Sequence, residues 1–155
     1  MNRTTDPQKD DTVAADLTIV RIFNAPRALV WQVWTDPAHT MQWMGPRDYP
    51  AVVFEQDVQT GGRWRGCLRG VANADDELWQ GGEYREVVAP ERLVFTFAWD
   101  GGMETLVTVI FEELGDKTRM IFHQTPFASI EDRDGHNGGW NSAFDRLDDW
   151  LVAKS

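Results

Sequence analysis

The stretch that decides the fold of this 155-residue chain is residues 129–153, SIEDRDGHNGGWNSAFDRLDDWLVA. From Trp140 onward, apolar residues recur with the spacing of one helical face, at Ala143, Phe144, Leu147, Trp150 and Leu151. Aspartates and an arginine occupy the other face, so the pattern predicts an amphipathic helix. Such a helix would be about 37 Å long, which is longer than a simple cap on a domain of this size needs. We therefore expect a wide surface beneath it.

The first half of this helix is poor in helix formers. Gly135, Gly138 and Gly139 each cost about 1 kcal/mol relative to alanine in a helix interior, so tertiary structure has to offset them. One interpretation is a close approach of sheet backbone to the helix, and the other is a mouth through which a ligand or a hinge motion passes. His136 and Trp140 lie four residues apart and share a helical face. We expect function near this segment.

The chain before this helix begins with a polar segment and then becomes periodic. Residues 1–15 are charged and without period, which predicts a disordered tail. Residues 16–155 have the length of one domain with one core. Within them, residues 16–23 are rich in β-branched and other apolar side chains and are predicted to form the first strand.

Two short helices are predicted next. Residues 26–34 carry apolar pairs at i,i+4 spacing behind a proline that suits a first helical position. Thr35 or Asp36 then caps a second helix with Pro37 at its first position, and Gly45 stops it. The two helices form a hairpin between the first and second strands.

After this hairpin the period changes from helical to two, with turn residues between the segments. In the second of these segments Arg63 and Arg65 fall on one face and Trp64 on the other, which indicates a sheet with one solvent-exposed face and one buried face. The segment 78–88 is apolar on both faces, which leaves its inward side open. The predicted strands are 51–57, 62–70, 78–88, 92–99, 105–113 and 118–125.

This element order predicts an α+β, helix-grip fold. Seven antiparallel strands and one long C-terminal helix bury their apolar faces most simply if a curved sheet wraps around that helix. The two short helices then lie between strands one and two. The interface between sheet and helix is where a ligand cavity is expected.

Composition excludes several classes of function. The formal net charge is -10 and no Lys/Arg cluster is present, which argues against nucleic acid and against an anionic membrane as partners. Cys67 has no second cysteine to pair with, no apolar segment is long enough to span a bilayer, and no signal peptide is evident. We therefore expect a cytoplasmic protein. Its 8 Trp against 2 Tyr indicate large rigid surfaces in a core or a pocket.

Four pieces of sequence resemble the helix-grip superfamily of START-like and birch-pollen-allergen-like (SRPBCC) proteins. Within it the chain is similar to the bacterial single-domain branch related to the C-terminal domain of the activator of the heat-shock-protein-90 ATPase. The pieces are WTDPAHTMQWMGP from Trp34, GGRWR from Gly61, GEYREVVAPERLVFTF from Gly82 and HNGGWNSAFDRLDDWL from His136. Together they cover nearly everything after Ala15.

The resemblance implies a cavity between sheet and C-terminal helix that takes a hydrophobic small molecule, in relatives ranging from lipid carriers to polyketide cyclases. It also raises a chaperone- or repressor-associated interaction module, and a homodimer through the helical hairpin or a sheet edge. One departure from the family pattern concerns the hairpin, which usually carries a basic residue and two tryptophans. Here these positions are Gln42, Trp43 and Met44, so a flexible thioether replaces an indole.

The leading hypothesis is therefore binding of a hydrophobic or aromatic small molecule in an apolar pocket. Small residues at Gly66, Gly70 and Gly82 are expected to leave volume beside the tryptophans. The predicted lining residues are Trp43, Met44, Trp64, Trp79, Phe95, Phe97, His136, Trp140 and Phe144.

The competing hypothesis is an enzyme of the cyclase, dehydratase or hydrolase kind that uses the same pocket. His136 is the candidate catalytic acid or base, because it lies on the ligand-facing stripe of the helix. A carboxylate buried on a strand would serve as an alternative base. No metal or cofactor is expected, because the histidines and the single cysteine match no ligand spacing. The alternative carboxylates are Glu55, Glu83, Glu86 and Glu104.

Overall fold

The computed structural model describes residues 16–154, and the tail expected over residues 1–15 lies outside them. The element order is the predicted one: a strand, two short helices, six strands and a long helix. The strands are β1 (Leu17–Phe23), β2 (Ala51–Gln56), β3 (Arg63–Arg69), β4 (Glu77–Val88), β5 (Arg92–Trp99), β6 (Thr105–Leu114) and β7 (Lys117–Thr125). The helices are α1 (Arg27–Thr35), α2 (Pro37–Trp43) and α3 (Ile130–Lys154).

The seven strands form one antiparallel sheet in the order β1-β7-β6-β5-β4-β3-β2. The strands β2 to β7 follow one another as hairpins, and β1 joins the far edge by pairing with β7, where Ile19 lies opposite Phe122. The α1–α2 hairpin therefore carries the chain from one edge of the sheet to the other. The prediction of an α+β helix-grip fold with a curved antiparallel sheet is confirmed.

The core lies between the sheet and the second half of α3. Phe144 is fully buried, and its ring centroid lies 5.4 Å from that of Phe122 on β7 and 6.1 Å from that of Trp34 on α1. Trp140 also packs on Phe122, at 4.6 Å. The apolar stripe predicted from the sequence is thus the buried face of the helix, except that Trp150 is only partly buried. The buried residues of α3 are Trp140, Ala143, Phe144, Leu147 and Leu151.

The helix ends follow the capping signals of the sequence. The Asp36 carboxylate accepts a hydrogen bond from the Ala38 amide at 3.0 Å and caps α2. The Ser129 hydroxyl accepts one from the Asp132 amide at 3.0 Å and caps α3. After α2 the chain turns through Gly45, whose φ of 87° favours glycine. In the described part of the chain no helix combines the length and the apolar character that crossing a bilayer requires.

The structure settles the inward face of β4, which the sequence left open. Gln80 and Tyr84 are buried toward α3, and Leu78 shares their face. Trp79 lies on the opposite, outer face, where the Arg65 guanidinium stacks 4.8 Å from its ring centroid. The arginine covers the Trp79 indole on the outer face. For this reason the sequence of the strand has apolar residues on both faces.

Candidate functional site

A cavity of about 490 Å³ lies between the sheet and the first half of α3. Its walls come from the turn after α2, from the inner faces of β3, β4 and β5, and from α3. This volume is within the range of small-molecule sites. The lining residues are Met44, Gly45, Pro46, Tyr49, Leu68, Leu78, Gln80, Phe97, Trp99, Ser129, Glu131, Asp132, Gly135, His136, Gly139, Trp140 and Ala143.

The glycines of α3 face open space. A Cβ atom built on Gly135, Gly138 or Gly139 meets no atom within 4 Å outside its immediate helical surroundings. Close approach of sheet backbone, one of the two interpretations of these glycines, is therefore wrong. Gly135 and Gly139 lie on the face that lines the cavity, whereas Gly138 does not line it. Because these residues have no side chain, the space between helix and sheet is wide along the first half of α3. Along the second half, buried side chains fill this space.

The volume does not come from the strand glycines. A Cβ on Gly82 would lie 1.8 Å from the Thr96 carbonyl oxygen, and one on Gly66 would lie 3.0 Å from the Phe54 ring. Gly70 is similarly crowded, with Tyr49 at 3.2 Å. The expectation that these three glycines leave space beside the tryptophans is wrong, because neighbouring backbone and aromatic rings already fill it.

His136 is held among aromatic rings in the cavity wall. Its ring centroid lies 5.0 Å from that of Phe127 and 5.5 Å from that of Phe97, and its side chain is 10% exposed. Trp99 Nε1 donates a long hydrogen bond of 3.4 Å to His136 Nε2. Since Nε2 accepts this bond, the proton of the neutral ring lies on Nδ1.

The protonation of His136 follows from this surrounding. Burial lowers the pKa of His136 from its ordinary value of 6.5, and the nearby Asp132 carboxylate opposes this effect without cancelling it. The Asp132 Oδ1 atom lies 3.8 Å from His136 Nε2, which is beyond hydrogen-bond distance. His136 is therefore a neutral, mostly buried imidazole near neutral pH.

Gln80 is the polar group at the bottom of the cavity. It is 2% exposed, it lines the cavity, and its side-chain amide makes no hydrogen bond within residues 16–154. Its amide atoms are not among the fully buried, unpaired side-chain atoms of residues 16–154, so they are accessible from the cavity. A ligand with a hydrogen-bonding group near Gln80 could pair with this amide.

The cavity wall contains four of the predicted lining residues, namely Met44, Phe97, His136 and Trp140. Trp64 and Phe95 lie deeper, where they line a separate small space with Met44 and Trp140. The structure thus divides these six residues between an outer cavity and an inner space, with two residues shared by both.

The other three predicted residues lie elsewhere. Trp43 is fully buried and donates from Nε1 to the Val33 carbonyl at 2.8 Å. Phe144 belongs to the core under the second half of α3. Trp79 is on the outer face of β4, since the strand turns Leu78 and Gln80 inward instead.

Sequence reasoning missed several lining residues. Trp99 shares one face of β5 with Phe97 by simple alternation, so this signal was present. Leu78 and Gln80 depended on the undecided face of β4 and carried no signal of their own. Tyr49 lines the cavity from the loop after α2, where no periodicity applies.

The candidate carboxylates on the strands lie away from the cavity. Glu55, Glu83 and Glu104 line a polar groove of about 460 Å³ on the outer side of the sheet. Glu86 pairs with Arg92 at 2.7 Å and is half exposed. The acidic groups that do reach the cavity are Glu131 and Asp132, in the first turn of α3.

The remaining groups considered for chemistry are also outside the cavity. His39 Nδ1 accepts a hydrogen bond from Trp150 Nε1 at 3.2 Å, and His123 Nε2 lies 3.1 Å from an Asp16 carboxylate oxygen. Cys67 is fully buried, and burial raises the pKa of its thiol, so it is a poor nucleophile.

A curved seven-stranded antiparallel sheet around a long C-terminal helix, with a cavity between them, defines the START-like helix-grip class of proteins. The chain belongs to the family described as Activator of Hsp90 ATPase homolog 1-like protein, whose family model matches residues 24–151. A search of curated proteins found no significant match.

Solved structures from bacteria are similar to this chain over most of its length. A protein from Mycobacterium smegmatis is 28% identical with a TM-score of 0.74, covering 90% of this chain and 92% of that chain. One from Arthrobacter aurescens is 27% identical with a TM-score of 0.78, covering 89% and 86%. The AHSA1 protein from Silicibacter pomeroyi, at 24% identity and a TM-score of 0.81 over 91% and 100% of the two chains, shows the fold alone.

Proposed function

We propose that this protein binds a neutral, apolar small molecule with an aromatic part in the cavity between the sheet and α3. The observation that carries the proposal is the glycine wall: Gly135 and Gly139 face a 490 Å³ space with no atom within 4 Å of a built Cβ. A helix that served only as core would gain stability from alanine at these positions. Ligand binding gives the open wall a use.

The lining chemistry supports a neutral ligand. Phe97, Trp99 and Trp140 offer aromatic faces, while Gln80 and neutral His136 offer a few hydrogen-bonding groups. The lining set contains no lysine or arginine, and its two carboxylates belong to α3. An anionic ligand would lose its hydration there without gaining a cationic partner.

The geometry favours binding over proton transfer. A general acid–base pair needs two ionisable groups within hydrogen-bond reach of a reacting atom. His136 and Asp132 are 3.8 Å apart and are not hydrogen-bonded to each other. The site therefore offers a single neutral imidazole among aromatic rings. The open interior also disfavours a pure interaction module, for which a fully packed core would serve better.

The proposal is tested with N-phenyl-1-naphthylamine, a neutral probe whose fluorescence rises in apolar surroundings. We expect saturable binding to the wild-type protein and, at about 100 times Kd, a stabilisation of about 2.7 kcal/mol. Gly139→Leu places a side chain in the cavity and should abolish both effects. Gly138→Leu, one residue away and off the cavity wall, is the matched control and should retain them. Absence of binding to the wild-type protein, or equal binding by both variants, would contradict the proposal.

A further inference from the structure

Behind the outer cavity lies a second, much smaller space of about 10 Å³. This is close to the volume that one water-sized group needs. Trp34 is one of the residues around this space, and its Nε1 is the buried side-chain N–H group without a hydrogen-bond partner in the part of the chain that the structure describes. The residues around the space are Trp34, Thr40, Met44, Phe54, Gln56, Trp64, Tyr84, Phe95 and Trp140.

A second donor at this space follows from the position of Gln56. Its Nε2 lies 3.1 Å from the Trp34 carbonyl oxygen, which only accepts hydrogen bonds, so the orientation of the amide is fixed. The same Nε2 donates to the Tyr84 hydroxyl oxygen at 2.7 Å, and Gln56 Oε1 accepts from Thr40 at 2.9 Å. The Tyr84 oxygen is therefore an acceptor in this bond, and its own O–H has no acceptor within residues 16–154.

The inner space therefore presents two donors and requires an acceptor. Burial raises the pKa of Tyr84 to about 12, so the phenol keeps its proton at neutral pH. No charged side chain is among the residues around the space, so a carboxylate would be buried there without a counter-charge. A neutral oxygen, such as that of a ketone or amide, matches both donors.

Met44 and Trp140 separate the inner space from the outer cavity, since both residues line both spaces. Trp140 is fixed, because its Nε1 donates to the buried Gln124 Oε1 at 2.9 Å, and Gln124 donates to Thr105 at 2.9 Å. Met44 has a flexible, unbranched side chain and makes no comparable side-chain bond. Rotation of Met44 would join the two spaces.

We infer that the ligand carries a neutral carbonyl oxygen that passes Met44 and accepts hydrogen bonds from Trp34 Nε1 and the Tyr84 hydroxyl, while its apolar body fills the outer cavity. This inference rests on the proposed function and narrows it to apolar carbonyl compounds. A thioether suits this position of the hairpin, because the Met44 side chain rotates more readily than an indole would.

The test compares 2-acetylnaphthalene with 2-isopropylnaphthalene, which has nearly the same shape but lacks the oxygen. With indole ¹⁵N-labelled protein, the ketone should shift the Trp34 indole N–H resonance downfield and the hydrocarbon should not. Trp34→Phe, which also assigns the resonance, should weaken ketone binding about tenfold more than it weakens hydrocarbon binding. Trp31→Phe, outside both spaces, is the control.

Tyr84→Phe is a second variant that keeps the ring and removes the hydroxyl, and it should also reduce the preference for the ketone. If Trp34→Phe does not fold, this variant and the wild-type resonance decide the question. The inference would be overturned if the ketone bound without shifting the Trp34 resonance, or if a water stayed on the Trp34 N–H. It would also be overturned if Gln80→Leu, instead of the Trp34 and Tyr84 variants, removed the preference for the ketone over the hydrocarbon. Each of these results would leave the proposed function standing. If the naphthalenes and N-phenyl-1-naphthylamine all fail to bind, the proposed function itself is overturned.

Discussion

At the scale of single residues, His136 makes the stability of the protein depend on pH. Phe97, Trp99 and Phe127 surround its ring, and Asp132 is the charged group that faces it. Burial lowers its pKa in the folded state below the ordinary value of 6.5. As the pH falls through that value, the unfolded chain therefore takes up a proton before the folded protein does, and stability is lost.

We therefore expect the difference in Tm between the wild-type protein and His136→Gln to be larger at about pH 7.5 than at about pH 5.5. Glutamine cannot titrate, so the variant lacks this contribution at every pH and serves as the reference. Thermal unfolding followed by circular dichroism at a series of pH values measures the difference. A difference that stays constant over this range would show that burial does not hold His136 neutral.

At the scale of elements, the glycines of α3 lower its stability. Gly138 is exposed, and a Cβ on it meets no atom within 4 Å. Gly138→Ala should therefore stabilise the protein by about 1 kcal/mol, through helix propensity and a less flexible unfolded chain. Urea denaturation gives the free energy of unfolding.

The same substitution at Gly45 provides the opposite control. Gly45 has a φ of 87°, and a Cβ there would lie 2.4 Å from the Tyr49 carbonyl oxygen. Gly45→Ala should destabilise the protein by more than about 1 kcal/mol. A loss of stability in Gly138→Ala would mean that this part of α3 packs more closely than the structure shows.

The connection between α2 and α3 depends on Arg146. Its guanidinium donates from Nη2 to the carbonyl oxygen of Gln42 and from Nη1 to those of Trp43, Met44 and Gly45, at 2.8–3.2 Å. These carbonyls belong to the end of α2 and the turn that follows, where no helical partner remains for them. The cationic side chain also suits the negative end of the helix.

Arg146→Ala should therefore lower the free energy of unfolding by about 2 kcal/mol. Arg146→Lys should recover only part of this loss, because an ammonium group lacks the planar fork of donors. Arg133→Ala is a matched control on the same helix, since the ion pair of Arg133 within residues 16–154 is an exposed contact with Asp134, and its loss should change stability little. A similar loss in the two alanine variants would argue against a specific role of the carbonyl contacts.

The same elements show how far the sequence predicts this structure. The stripe from Trp140 to Leu151 specified a buried helical face, and alternation specified the inner face of β5, because each pattern has one apolar side. The strand β4 lacks this asymmetry, since Trp79 is covered by Arg65 on the outside. Its inward residues Leu78 and Gln80 could not be assigned for that reason.

The site was less predictable than the fold because a cavity is defined by what does not pack. The identity of a glycine does not reveal whether another atom approaches it. Gly82 meets the backbone of Thr96, whereas Gly135 and Gly139 meet open space, and only the three-dimensional arrangement separates these cases. The predicted lining residues were therefore spread over the outer cavity, the inner space, the core and the outer face.

At the scale of the whole molecule, charge adds to the selection of ligands. The formal net charge is -10, and Glu131 and Asp132 are the charged residues that line the cavity. Both the overall field and the local carboxylates therefore oppose the entry of an anion. This electrostatic repulsion weakens as salt is added, because the Debye length falls from about 30 Å at 0.01 M to about 10 Å at 0.1 M ionic strength.

The comparison that tests this effect uses N-phenyl-1-naphthylamine and 8-anilinonaphthalene-1-sulfonate, which share one aromatic body and differ by a sulfonate. We expect the neutral compound to bind more tightly at low salt, and the affinity of the sulfonate alone to rise as salt is added. Glu131→Gln combined with Asp132→Asn should narrow the gap between the two, because the local part of the repulsion is removed. A sulfonate that bound as tightly as the neutral compound at low salt would require a cationic group in the site, and would contradict a cavity selective for neutral ligands.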